Sequence, residues 1–148
     1  ESHFILLIKN LYKFTFFEYV MVLKIISATE ARPGTNIIIE GEPYIVKKVD
    51  TSKTGKHGAA KCRIEINGII SNQKKIIAVP GHERFEVPMV DKRKAQVLSL
   101  GEKVSVMDLE NFENFEIDCD EEIKNELQEN SNVEYWDIEG RKIIKRKL

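Results

Sequence analysis

Cysteine is nearly missing from this chain: Cys62 and Cys119 are the two in 148 residues. Neither has a second cysteine or a histidine at metal-ligand spacing, which speaks against a structural zinc site. Two unpartnered thiols fit a reducing cytosol better than a secreted disulfide framework. Histidine is almost as scarce, at positions 3, 57 and 82, too scattered for a triad. There is no Gly-x-Gly-x-x-Gly run and no Gly-x-Ser-x-Gly elbow. No repeat and no low-complexity segment interrupts the chain. A membrane span needs about 20 apolar residues, and the apolar run Phe4-Ile5-Leu6-Leu7-Ile8 stops at Lys9, Asn10 and Lys13. A signal peptide would need a basic start and a small-residue cleavage site, and neither is there.

What is present is ordinary for a folded domain: 42% hydrophobic and 32% charged residues. The length suits one domain or two small ones, and two small ones would each have a thin core, which favours small barrels over layered α/β folds. The net charge of −1 hides an asymmetry. Residues 21–89 carry 11 Lys/Arg against 7 Asp/Glu, whereas residues 90–148 carry 10 against 15. The first of these segments is therefore the one expected to meet a polyanion. The acids of the second read as a solvated face rather than as paired catalytic carboxylates.

Residues 1–20 differ in character from the rest, with Phe14, Phe16, Phe17 and Tyr19 close together. They read as a non-native or misassigned leader, with Met21 as the natural start. The alternative is a strand or helix that packs on the body.

From Met21 to Pro88 short strands alternate with turns. Arg32-Pro33-Gly34 and Gly41-Glu42-Pro43 are turn signals. Residues 36–40 and 44–49 read as strands, the second rich in β-branched residues. A polar loop is expected from about Asp50 to Gly58. The next strand, 60–66, puts Cys62, Ile64 and Ile66 on one face and Lys61, Arg63 and Glu65 on the other. Asn67-Gly68 is a turn, and 69–79 holds one or two more strands. This spacing predicts a small closed barrel. Composition changes around Val87-Pro88-Met89-Val90-Asp91, which sets a boundary and leaves 91–148 as a second domain. There, strands are expected at 95–100, 103–109, 112–117, 133–138 and 141–147. A helix at about 120–127 precedes the fourth, with Ile123 and Leu127 at i and i+4. Five strands with that helix placement match the oligonucleotide/oligosaccharide-binding (OB) barrel. The fold class is mainly all-β.

The chemistry narrows to the loop around Lys53-Thr54-Gly55-Lys56-His57-Gly58. A phosphate-loop reading of Gly55-Lys56 fails: Asp50 stands where a glycine is required, His57 where Ser or Thr is required, and a strand follows instead of a helix. What remains is a lysine bracketed by Gly55 and Gly58, which permit positive φ and close approach of another molecule. Lys53, Lys56 and Lys61 lie near few acids, as contacts to phosphate require. A flexible hairpin tip with ordinary surface lysines is the plain alternative.

The run Thr51-Ser52-Lys53-Thr54-Gly55-Lys56-His57-Gly58 resembles the signature of the hypusine-containing translation factor, eukaryotic and archaeal initiation factor 5A, related to bacterial elongation factor P. The resemblance runs from about Met21 to Leu148 and includes the Arg32-Pro33-Gly34 turn and the Val87-Pro88 linker. Ala59-Ala60 looks archaeal, because the eukaryotic pattern has a histidine after Gly58. The resemblance implies an SH3-like barrel at 21–88 followed by an OB barrel. It implies a cytoplasmic, non-enzymatic factor with no cofactor beyond a spermidine-derived modification of Lys56, made by deoxyhypusine synthase and ending at deoxyhypusine or hypusine. The implied partners are RNA, the ribosome and the acceptor end of peptidyl-tRNA, with no membrane. Around Lys56, the residues Lys53, Thr54, Gly55, His57, Gly58 and Lys61 would meet RNA or the synthase. Trp136 and Tyr135 could stack on bases, although a core place is expected for Trp136. The basic segment Arg141-Lys142 and Lys145-Arg146-Lys147 is a further RNA candidate. An unmodified single-strand RNA-binding protein is the competing function.

Overall fold

Two Glu-Gly pairs turn the chain tightly, one in each half. Glu40-Gly41, with φ of +52° and +77°, joins β2 (Asn36–Ile39) to β3 (Glu42–Lys53). Glu139-Gly140, with φ of +52° and +93°, joins β10 (Asn132–Ile138) to β11 (Arg141–Lys147). Positive φ at both central residues matches the right-handed twist of the strands they connect. The computed structural model describes residues 24–53, 55 and 58–148. The expected leader, residues 1–20, lies outside them.

The chain divides into two units, Glu1–Pro88 and Met89–Leu148. Among the described residues the first holds a six-stranded sheet in the order β1-β6-β2-β3-β4-β5. Its other members are β1 (Ile25–Ser27), β4 (Ala60–Gly68), β5 (Lys74–Pro80) and β6 (Arg84–Glu86). A 3-10 turn at Ala28–Glu30 follows β1. The Arg32-Pro33-Gly34 turn forms as expected: Gly34 has φ +92° and the Thr35 N–H donates to Arg32 O at 2.9 Å. Ile37, Val46, Cys62, Ile64 and Ile66 form the buried core. Ile26 from one end of the sheet and Ile77 and Val79 from the other pack on that same core. The sheet therefore rolls round its core as an SH3-like barrel. Among the described residues no ladder joins β5 to β1 in the strand order, so the full closure expected from the spacing is not seen in them.

The second unit is a closed barrel in the order β10-β11-β9-β8-β7. Its strands are β7 (Val90–Leu100), β8 (Val104–Asp108), β9 (Asn114–Cys119), β10 and β11, with helix α1 (Glu121–Lys124) after β9. Long β7 serves two neighbours. Its first part, Val90 to Gln96, pairs with β10, and its last part, Ala95 to Leu100, pairs with β8. A bulge between Val97 and Ser99 bends it between the two. β11 pairs with β9 in parallel, Ile143 with Asp118 and Ile144 with Cys119. A parallel pair needs a crossover, and the segment holding α1 and β10 supplies it. The helix is shorter than the expected 120–127: past Lys124 the bonds tighten to Glu126 N–H to Ile123 O and Leu127 N–H to Lys124 O. Leu127 is still buried and Ile123 packs against it and the barrel core. Burying each such aliphatic side chain stabilises by roughly 1.5–3 kcal/mol. This is the OB strand order.

No helix among the described residues is long and apolar enough to cross a membrane.

Candidate functional site

β3 and β4 are the two legs of an arm. Their antiparallel ladder runs from Tyr44–Gly68 to Lys53–Ala60. The inner part of β3, Pro43 to Val46, lies largely against the core, whereas Asp50 to Lys53 are exposed. The polar loop expected from Asp50 is therefore strand as far as Lys53, and only residues 54–59 connect the legs. Polar residues can continue a ladder here because the backbone bonds to β4 hold it, not burial.

Residues opposite one another in a ladder share a face. Thr51 and Cys62 face the core side, with the Thr51 Oγ1 and Cys62 Sγ 3.7 Å apart. Lys53 lies two residues beyond Thr51 and shares that face. Lys61 stands opposite Ser52, on the other side. The two lysines expected to touch phosphate thus flank the arm's end from opposite faces. Along the outer face Lys48 pairs with Asp50 at 3.5 Å and Arg63 with Glu65 at 3.7 Å. Among the described residues no ion pair involves Lys53 or Lys61.

The second leg is braced. β5 pairs with β4 as far as Pro80–Lys61. Immediately beyond, the Gly81 N–H donates to Ala60 O at 2.7 Å, and Gly81 O accepts from the Thr29 N–H at 3.3 Å. A Cβ at Gly81 would sit 2.9 Å from Thr29 Cγ2 and 3.0 Å from Ala60 Cβ. Only glycine lets these three backbones meet so closely. At the tip, Gly55 has φ +73° with open space around it. Gly58 is half-buried and outside any strand. Thr54, Lys56 and His57 lie outside the described residues.

The second unit places its aromatics differently from expectation. Inward positions on β10 are Val133, Tyr135 and Ile138. Tyr135 is the core residue, edge-on to Phe115 at 5.3 Å. Trp136 is on the outer face, half-buried, and the core place expected for it is not found. Strand alternation explains this, since Val133 and Tyr135 take the inner side. The Lys92 and Lys145 ammoniums lie over the indole at 4.6 and 5.6 Å from its centre. Its N–H donates to Glu134 Oε1 at 3.1 Å. That bond, with Arg146 beside it, holds the Glu134 carboxyl below its ordinary range. Several basic residues of 141–147 have partners within the unit: Lys142 lies over the Phe115 ring at 4.3 Å, Arg146 pairs with Glu134 at 3.0 Å, and the Lys147 ammonium donates to Glu126 O at 3.1 Å.

One acid of this unit is not on a solvated face. Asp108, at the end of β8, is fully buried. Its carboxylate accepts from Arg93 Nε at 2.8 Å and Nη2 at 3.1 Å, and from the Tyr135 hydroxyl. The Arg93 guanidinium holds it well below the usual carboxylate range, against the opposing effect of burial. Burial and the Asp108 bond push the Tyr135 hydroxyl up. A polar residue at the third inward position after Val104 and Val106 is the signal in the sequence that points to this network. Among the described residues no group of His, Cys, Asp and Glu could hold a metal. Both cysteines are free, and burial pushes the Cys119 thiol up to about 11.

Residues 24–82, which include the arm, match the family model described as translation initiation factor 5A-like, N-terminal. Translation initiation factor 5A of Metallosphaera sedula is 43% identical over 120 residues, covering 79% of this chain and 92% of that one. The chain belongs to the translation initiation factor 5A family. The Pyrococcus furiosus family member is 40% identical over 126 residues, covering 82% of this chain and 91% of its own length. Solved structures of the family agree with the fold. The Methanococcus jannaschii factor matches with a TM-score of 0.74 at 35% identity, over 84% of this chain and 94% of that one. A family protein of Naegleria fowleri matches with a TM-score of 0.69 at 27% identity, over 83% and 96%. Family membership makes this chain a translation factor.

Proposed function

We propose that Lys56 carries the aminobutyl group of spermidine, attached by deoxyhypusine synthase, and that the lengthened side chain works on the ribosome beside the acceptor end of peptidyl-tRNA. The observation that supports this most is the braced arm. A six-residue tip is mounted on two paired strands, with Gly81 securing the second leg and Gly55 in a left-handed turn. Such a mount suits the aiming of a long cationic side chain into a narrow, phosphate-lined space.

The modification adds reach and a second protonated amine. Two charges meet phosphate better than one, and Lys53 and Lys61, on opposite faces, would keep the arm centred between RNA strands. The ribosome performs the chemistry. The factor contributes positioning and electrostatics, and the bonds that gain most are the difficult ones, such as those between prolines.

Two measurements test this. Intact-peptide mass spectrometry on the native protein should find the peptide holding Lys56 heavier by an aminobutyl group. A plain lysine, in cells that make spermidine, would leave the competing reading of an unmodified RNA-binding protein. Lys56→Arg keeps a charge and loses the acceptor amine. It should slow polyproline synthesis by about tenfold or more, on the order of 1.4 kcal/mol of barrier; synthesis at the normal rate would refute the proposal.

A further inference from the structure

The turn from β8 to β9 carries an aromatic residue where folding favours glycine. Phe112 has φ +61°, in the left-handed region that bulky side chains avoid. The other non-glycine residues with positive φ among those described are Glu40, Asn72, Asn130 and Glu139, all polar. Phe112 is also 68% exposed, the most exposed of the large hydrophobic residues described, and it takes no part in the barrel core. Strain and exposure both count against it as a contribution to the fold. A backbone outlier of this kind is a pointer to function.

The turn is well ordered by its bonds. Asp108 O accepts from the Phe112 N–H at 2.9 Å, and the Asp108 N–H donates to Glu113 O at 2.9 Å. The buried Asp108 carboxylate accepts from the Glu110 and Asn111 N–H groups at 2.8 and 3.0 Å. Leu109 N–H reaches Lys94 O at 3.0 Å, and Glu113 N–H reaches Asn111 Oδ1 at 3.0 Å. Every backbone donor from Leu109 to Glu113 therefore has an acceptor. The carboxylate that ties Arg93 and Tyr135 together also fixes this turn. An aromatic ring on a turn already held in shape loses little freedom on binding.

Charge selects the partner. Leu109, 36% exposed, adds apolar surface; Glu110, paired with Arg93 at 3.3 Å, and Glu113, in no ion pair among the described residues, stand exposed on either side of Phe112. The Glu113 carboxylate repels a phosphate backbone, and Glu110 already offsets the nearby Arg93 charge that could attract one. We propose that the Phe112 turn docks a protein and not RNA: the ring enters an apolar pocket rimmed by Lys or Arg. Resting on the function proposed above, that pocket belongs to a basic protein of the ribosome.

Two experiments on purified ribosomes test it. With p-benzoylphenylalanine in place of Phe112, irradiation should crosslink the full-length protein to one basic ribosomal protein. Phe112→Gly should weaken ribosome binding by about tenfold, a hot-spot effect. The same change should raise the melting temperature of the second unit by about 2–6 °C, because glycine suits φ +61°. Opposite movement of affinity and stability is what a purely structural role would not give. Crosslinks to RNA alone, binding within about twofold of the parent, or a lowered melting temperature would each overturn the docking point. Failure of the unsubstituted protein to bind ribosomes would instead bring down the functional reading, and this one with it.

Discussion

Asp108 is a fully buried charge with five donors around it: two from Arg93, one from Tyr135 and two backbone N–H groups. Breaking such a set costs far more than forming it gains, because the partner is left charged and unpaired. Asp108→Asn turns an NH2 toward a guanidinium and should destabilise the protein by about 2–4 kcal/mol, read from urea unfolding. The pH dependence follows from the direction of the shift. The native carboxyl is held well below its ordinary value, so in mild acid the unfolded chain takes up a proton that the native state does not. Asp108 thus contributes stability that is present above an unfolded pKa of about 3.9 and is lost as pH falls toward the native value. The parent should lose stability steeply below about pH 4, and Asp108→Asn should flatten that slope. Residues like this one are the least legible in the sequence. Fifteen acids in one segment look alike, and only the inward period set by Val104 and Val106 distinguishes Asp108. Trp136 is hard to place for a related reason: size argues for the core, while its register on β10 decides the outer face.

At the scale of elements, the arm rests on a contact that has no side chain. Gly81→Ala would press a methyl on Thr29 and Ala60 and displace the second leg. Its cost should be about 1–3 kcal/mol of overpacking, seen as a lower melting temperature. On the function proposed above, it should also slow aminobutyl transfer to Lys56 by purified deoxyhypusine synthase, measured by mass spectrometry. Adding Ala60→Gly, which removes the Ala60 methyl that crowds the new one, should restore part of both. Most strands are readable because half-burial writes a period of two: Cys62, Ile64 and Ile66 go inward as their spacing indicates. β1 and β6 are not, since three residues cannot display a period. The outer end of β3 escapes notice because neither face of Asp50 to Lys53 is covered, so nothing in their composition marks a strand. The arm's lysines are legible as a set, but their division between two faces comes only from the register.

Across the whole molecule, two cores share no residue, and each unit has its own sheet. Native-state hydrogen exchange should therefore sort slow amides into two sets, and Asp108→Asn should speed exchange in β7, β8 and β10 while leaving β3 and β4 within about twofold. Uniform loss of protection would show the units to be one cooperative body. The charge asymmetry, legible from the first count, has a physical place: basic residues end the arm, while acids flank Phe112. The parallel pairing of β9 with β11 carries a further consequence for how the protein is made. Antiparallel neighbours such as β2 and β3 can join as soon as both leave the ribosome. β9 can pair with β8 at once, but its other edge must wait until the crossover and β11 have been synthesised, so this barrel has contacts of long sequence separation and closes late. During that interval Ile117 and its neighbours stand uncovered on a nascent chain whose first unit can already be folded. A translation factor thus depends, in its own biosynthesis, on β11 arriving before the open edge of β9 finds another partner.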